Sequence, residues 1–362
     1  MLPKTHLPYI DALRGWAILG VVFCHTFDLL SFQEIPGVLK QVFKNMSHGV
    51  EVFFFVSAFT LYLSLESQKD MPASGFKAYS IRRFFRIAPL FYLACLFSWL
   101  FLTDFYHIHY DLPFHISNWN VLSHLTFTFW AYPPWMNSFV FGGWTIATEV
   151  HFYLLLPFLF VRVKTINQAV YLFYIALIVR LLFRWLFHPF DVDRMYHQYQ
   201  YQLIFNQFPV FCLGIVGFLW VIKKQVPSVK TFIPLAFMFL FDKLIQQDVF
   251  IPEHIQFALL TFLLVFLLHH GYLKFAQSSP MVFLGKLSYS VYFVHPFILY
   301  GIQVWEIQKF FPSGNSVRSG LELLVWSVLV LVSSMAISYP IYLWIEEPFR
   351  KLGKRWIVKL GL

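Results

Sequence analysis

This sequence predicts an all-α, polytopic integral membrane bundle of about ten transmembrane helices, and three observations carry that expectation. Charged residues make up 12% of the 362-residue chain, about half of what a soluble domain carries. Hydrophobic residues reach 59% and Phe alone occurs 46 times, so most of the surface must face lipid rather than water. Apolar runs of bilayer-crossing length, about 20 residues each, recur roughly ten times.

The runs fall at about 8–30, 48–66, 84–103, 143–162 and 168–187, then at 202–222, 231–246, 255–273, 283–304 and 321–345. The seventh is short and ends in Asp242 and Lys243. Residues 1–362 read as one membrane domain with no soluble domain attached. The first run contains Asp11 and Arg14 and has no small-residue cleavage site after it, so it is expected to stay as a helix. An even number of crossings puts both termini on one side. With that side cytoplasmic, nineteen of the 27 Lys and Arg lie on inner segments and eight on outer ones. This matches the excess of basic residues that holds loops inside. The net charge of +9 is therefore read as topology, with membrane lipids and not nucleic acid as its partner.

The segment 104–142 is expected outside. It holds no Lys or Arg, but carries Asp104, Asp111, Trp119, Trp130 and Trp135. A structureless stretch of that length is uncommon, and VLSHLTFTFWA within it suits a short interfacial or re-entrant helix. His107, His109 and His115 cluster there without a full ligand set. Cys24, Cys95 and Cys212 lie in apolar stretches without metal-ligand spacing, so neither a disulfide nor a metal site is expected.

Charge inside hydrocarbon is costly and asks for a reason. In YIDALRGWAILGVVFCHTFD, Arg14 and His25 are eleven residues apart. At 100° per residue they share a face, roughly 16 Å apart along the axis. Asp11, one turn before Arg14, can pair with it. His25 reads either as a packing hydrogen-bond group or as a working imidazole. RRFFRIAP brings Arg82, Arg83 and Arg86 to one helix face, either as a positive-inside anchor or as a phosphate clamp. GGWTIATEVHFYLLLP buries Glu149 and His151 in a helix behind two glycines. A carboxyl at that depth must be protonated, paired or wet. HGVEVFFFVSAF opens on Glu51, where a helix N-terminus favours a carboxylate, and its Ser57 and Ala58 permit close helix packing. In LGKLSYSVYFVHPFIL, His295 precedes a helix-interior Pro296 that frees a backbone carbonyl, and packing is the reading there.

Taken in order, these segments resemble the membrane acyltransferase 3 family, the bacterial O-acyltransferases that modify sugars, from Tyr9 to about Arg355. Arg14 and His25 hold the positions of that family's opening Arg and catalytic His. HGVEVFFFVSAF resembles its GVDLFFVLSGF, RRFFRIAP its Arg-x-x-Arg segment through Arg83 and Arg86, and GGWTIATEVHFYLLLP its WSLSVEEQFYLLWP through Glu149. LGKLSYSVYFVHPF resembles the late SYSLYLWH segment, and IEEPFRK the closing lErPfr. Glu51 stands for the usual Asp, Ala58 for Gly, and Val150 and His151 for the second Glu and the Gln.

The resemblance implies an O-acyltransferase, in the first instance an O-acetyltransferase, in the bacterial cytoplasmic (inner) membrane. It would move an acyl group from cytoplasmic acetyl-CoA or another acyl-CoA, with no metal. The acceptor would be a hydroxyl of a cell-surface polysaccharide or its lipid-linked precursor, such as lipopolysaccharide or exopolysaccharide. It implies catalytic roles for His25 and Glu149 and phosphate holding by Arg83 and Arg86, with Arg82 contributing and Arg14 guiding the donor. His25 would act as general base on the hydroxyl or carry the acyl group itself. Trp119, Trp130 and Trp135 are candidates for stacking on the acceptor sugar. The competing class is a polytopic transporter or flippase of glycans or small solutes, which also buries charge in a bundle. The absence of matching halves in the sequence counts against it.

Overall fold

The computed structural model describes residues 7–30, 35–67, 74–101, 117–138, 140–190, 193–305, 307 and 316–362. His107, His109, His115, Asp104 and Asp111 lie outside the described residues. Every regular element among the described residues is helical. In chain order these are α1 (Pro8–Leu29), α2 (Gly37–Asn45), α3 (Gly49–Glu66), α4 (Ser74–Phe101) and α5 (Asn118–Leu125). They continue with α6 (Gly143–Arg162), α7 (Ile166–Phe187), α8 (Arg194–Gln202), α9 (Ile204–Val221) and α10 (Ile233–Ile245). The last four are α11 (Glu253–His269), α12 (Ser279–Val304), α13 (Ser316–Ile341) and α14 (Glu347–Lys359).

A helix stands at each of the ten expected runs, but eight are long and apolar enough to cross a membrane among the described residues. The shortfall is physical. At 1.5 Å per residue, α10 with 13 residues and α11 with 17 are shorter than the roughly 30 Å of hydrocarbon. α4 begins ten residues before its apolar run, so its arginines lie inside a helix rather than at its start. The polar first turns extend the helix beyond the greasy stretch that the sequence marks. At the other end, α13 passes through a π-helical turn, Tyr342–Glu346, into the basic amphipathic α14. Pro348 follows directly on the π turn, where the i→i−5 bond from Glu347 to Tyr342 changes the register, and the chain stays helical through it.

Lipid as solvent turns the usual burial pattern inside out. In α10, Phe237, Leu240 and Leu244 are exposed, and the buried side chain is Asp242. Its carboxylate accepts the backbone amides of Val249, Phe250 and Ile251 at 2.7–3.2 Å. Arg180, buried in α7, ties α9 to the same turn through Asn206 Oδ1 and the Val249 carbonyl, each at 2.9 Å. Both charges are thus structural.

The centre of the bundle is α1 against α12. A Cβ at Gly285 would run into the Asp11 carbonyl, and one at Gly15 into the Met281 carbonyl. The two backbones therefore touch, as small residues allow where no water-driven force pulls helices together. The helices run in the same direction, with Asp11 beside Gly285 at one end and His25 beside His295 further along. α9, α3 and α6 complete the core through stacked Phe54, Phe211 and Phe152.

Candidate active site

Five helices and the chain's C-terminal region converge on a cavity of about 500 Å³. α1 brings Asp11 and Arg14, α3 brings Ser57 and Thr60, and α4 brings Arg83 and Arg86. α6 contributes Thr145, Glu149 and Tyr153, and α12 contributes Lys286, Ser288, Tyr289 and Tyr292. Glu347 and Arg350 of α14 close one side. Five cations thus face three carboxylates, an excess of positive charge in a confined space.

The cations are held in different ways. Arg14 reaches Asp11 at 3.4 Å and Thr60 Oγ1 at 3.3 Å. The Arg83 guanidinium lies 5.9 and 5.8 Å from the ring centres of Tyr79 and Tyr153, within cation–π range. Its Nε is buried without a hydrogen-bond partner. Among the described residues Glu149 makes no direct ion pair with them: its Oε1 accepts from Ser57 Oγ at 2.6 Å and from Tyr153 hydroxyl at 2.5 Å. Arginine donors aimed into a cavity, with their own partners only partly supplied, suit a ligand rich in acceptor oxygens.

His25 stands beyond the cavity and does not line it. The cavity ends at Thr145 and Tyr292, and the Tyr292 ring lies 6.0 Å from that of His295. The tyrosine is therefore a wall shared by the cavity and the histidines. Its hydroxyl donates to the Gly142 carbonyl at 3.1 Å, with Thr145 Oγ1 also at 3.1 Å. Gly142 has φ +70°, the left-handed region, and a Cβ there would meet the tyrosine hydroxyl. On the far side, His25 Nδ1 lies 2.9 Å from His295 Nε2, with the rings 5° from parallel. Phe141 packs edge-on against His25 at 4.8 Å. His295 is fully buried, and its Nδ1 lies 2.9 Å from the Val291 carbonyl.

Arg14, Arg83 and Arg86 therefore line one cavity, and Glu149, which the sequence reading placed with His25 in the catalytic role, lies among the arginines instead, with His25 next door. Arg82, on the same helix, is not part of the cavity lining. Glu149 bonds to Ser57 and Tyr153, so it does not orient His25. The three tryptophans are dispersed. Trp119 is 71% exposed on α5, Trp130 packs edge-on against His151 at 4.5 Å, and Trp135 packs edge-on against Tyr132 at 5.1 Å. None of them lines the cavity.

Sequence reasoning missed Tyr292, Lys286 and Arg350, and it gave His295 only a packing role. A signal for two of these was present. Ser288, Tyr292 and His295 stand at i, i+4 and i+7, one face of a helix, leading from the cavity to His25.

Comparison with known proteins bears on this arrangement. The Acyl_transf_3 family, described as an acyltransferase domain, matches residues 7–343. The O-acetyltransferase OatA of Staphylococcus aureus (strain NCTC 8325 / PS 47) is 27% identical across 98% of this chain and 58% of its own length. A protein of Acidianus two-tailed virus, named as an acetyltransferase, is 26% identical over 81% of this chain and 84% of its own. A second S. aureus protein (strain COL), named as an O-acetyltransferase, is 22% identical over 96% of this chain and 58% of its own. The chain thus spans under two thirds of the staphylococcal relatives it matches. No solved structure matches it.

Proposed function

Because the chain belongs to the Acyl_transf_3 acyltransferase family, we propose that this multi-pass membrane protein transfers an acyl group, acetyl in the first instance, from acyl-CoA to a carbohydrate hydroxyl. One observation supports the reading above all: a cavity lined by Arg14, Arg83, Arg86, Lys286 and Arg350 that ends one tyrosine away from a hydrogen-bonded histidine pair. Its volume of about 500 Å³ suits a small-molecule substrate.

In this reading the cation-rich end faces the cytoplasm, consistent with the basic α14 lying there. Arg83, Arg86 and Lys286 hold the phosphates of the donor, and Arg82 adds to the positive field from outside the lining. Arg14, oriented by Asp11 and Thr60, lies on the donor's path inward. Ile10, Phe53 and Ile87 give the thioester arm an apolar wall. Tyr292 must move aside for the thioester carbonyl to reach His25. Glu149, fixed by Ser57 and Tyr153, offsets part of the arginine charge. The acceptor approaches from the opposite face, where Trp119, Trp130 and Trp135 are candidate sugar contacts. The membrane is the bacterial cytoplasmic membrane, and the acceptor is a surface polysaccharide or its lipid-linked precursor.

The chemistry balances with the imidazole as base. His25 takes the hydroxyl proton while the oxygen bonds to the thioester carbonyl carbon. The C–S bond breaks, and the departing thiolate receives that proton. An acyl-imidazole route has the same overall balance in two steps.

The test is transfer of radiolabel from [¹⁴C]acetyl-CoA in host membranes, paired with mass spectrometry of surface glycans. His25→Ala and Arg86→Ala proteins should insert normally and leave the glycans lighter by one acetyl mass. Full activity in His25→Ala would remove the mechanism. Solute flux without any donor would instead favour the transporter class.

A further inference from the structure

We infer that His295 is the positioning residue that sets the tautomer of His25, so that His25 presents an unprotonated Nε2 to the substrates. The inference deepens the acyltransferase reading and rests on it.

The argument follows the hydrogens. A neutral imidazole has one N–H and one lone pair. His295 Nδ1 lies 2.9 Å from the Val291 carbonyl, which can only accept. The proton of His295 is therefore on Nδ1, and its Nε2 holds a lone pair. His25 Nδ1 is 2.9 Å from that Nε2, so His25 must supply the hydrogen of this bond from Nδ1. His25 Nε2 is then left with its lone pair, and it makes no hydrogen bond among the described residues. The alternative, a doubly protonated His295, would place a cation at a site with no solvent exposure. No carboxylate hydrogen-bonds to either ring among the described residues, so such a charge would go uncompensated.

The surroundings hold this arrangement in place. α12 meets α1 backbone to backbone at Gly285, ten residues before His295, which limits sliding between the two rings. Phe141 packs against the edge of His25 and restricts its rotation. Pro296 has no N–H, so the Tyr292 carbonyl is released from the helical ladder beside the pair. Both reaction routes use the same atom. As base, Nε2 accepts the hydroxyl proton; as acyl carrier, it bonds to the thioester carbon and releases the thiol. A His25 with its proton on Nε2 can do neither.

Two variants of similar length separate positioning from packing. His295→Gln keeps an acceptor oxygen that can receive the His25 Nδ1 hydrogen, whereas His295→Met fills similar space without it. The readouts are [¹⁴C]acetyl transfer in host membranes, [¹⁴C]acetyl-CoA binding to purified protein, and thermal unfolding. His295→Met should bind donor like the unsubstituted protein while its turnover falls by about 10²-fold, the scale of lost proton-transfer assistance. His295→Gln should recover at least about tenfold of that loss, with donor KM unchanged in both. Equal activity in the Gln and Met variants, or full turnover in the Met variant, overturns the inference. His25→Ala is run alongside. If it too keeps full turnover, the acyltransferase mechanism itself fails. If it is inactive while His295→Met is fully active, only the positioning role fails.

Discussion

The backbone contact between α1 and α12 gives the sharpest prediction, because its cost can be worked from the structure. In Gly285→Ala the new Cβ would strike the carbonyl oxygen and carbon of Asp11 and crowd the Gly15 amide. All three atoms are backbone, so no rotamer change can absorb the clash. The helices must part by on the order of 1 Å, and overpacking of this kind costs about 1–3 kcal/mol. Alanine's better helix propensity returns about 0.5–1 kcal/mol, which leaves a net loss near 2 kcal/mol at the upper end. Gly301, on the same helix, has nothing within 4 Å of its would-be Cβ. Gly301→Ala should therefore gain only the propensity term. The functional effect should exceed the loss of stability. Parting the helices at Gly285 stretches the 2.9 Å bond between His25 and His295 past the ~3.5 Å at which it ceases to hold. Thermal unfolding of detergent-purified protein and [¹⁴C]acetyl transfer in host membranes measure the two effects. Expected are a lowered melting temperature with at least tenfold slower transfer for Gly285→Ala, and neither for Gly301→Ala. Unchanged melting and full transfer in Gly285→Ala would refute the reasoning, since the crossing would then tolerate a methyl group.

Three further outcomes follow from the same structure. Arg86→Lys should keep the charge but not restore the donor affinity lost in Arg86→Ala, since an ammonium cannot reproduce the planar fork; isothermal titration with acetyl-CoA checks it. Asp242→Ala should strip the acceptor from the amides of Val249, Phe250 and Ile251 and cost about 2–4 kcal/mol, seen as faster amide exchange across 246–252. His124 stacks on Phe129 with Phe91 alongside both, and burial pushes its pKa down to about 4. Its unfolded form takes up a proton first, so local stability should fall as pH drops from about 6.5 toward 4. Amide exchange across 118–131 should accelerate over that interval, and His124→Phe should flatten the response.

Long apolar runs were legible because a bilayer demands them, and the shared face of Arg83 and Arg86 was legible because helix periodicity fixes which side chains of one helix lie together; that Arg14 of α1 joins them was not. What lay beyond the sequence depends on how helices meet. His25 and His295 are 270 residues apart, and nothing local pairs them. Their meeting follows from the parallel approach of α1 to α12 at Gly15 and Gly285, two glycines that look unremarkable in isolation. The same holds for Arg180, whose partners Asn206 and Val249 come from other segments. Where polar residues extend an apolar helix, as at the start of α4 and through the π turn into α14, hydropathy marks the hydrocarbon and not the helix end.

The central contact also bears on the choice between enzyme and transporter. Alternating access needs one part of a bundle to rock against another around the bound solute. Here the helices that carry Arg14 and His25 on one side, and Lys286, Tyr292 and His295 on the other, touch along their backbones. Rocking α1 against α12 would break the histidine pair and open a gap at Gly285 that no side chain fills. A small motion meets the need of group transfer instead. Turning the Tyr292 side chain away from Gly142 costs two hydroxyl contacts and would open the arginine-lined cavity toward the histidine pair with both helices in place. A fixed bundle with one movable aromatic wall would let the proposed donor and acceptor meet without either crossing whole. That is why charge buried on this scaffold is better explained by catalysis than by transport.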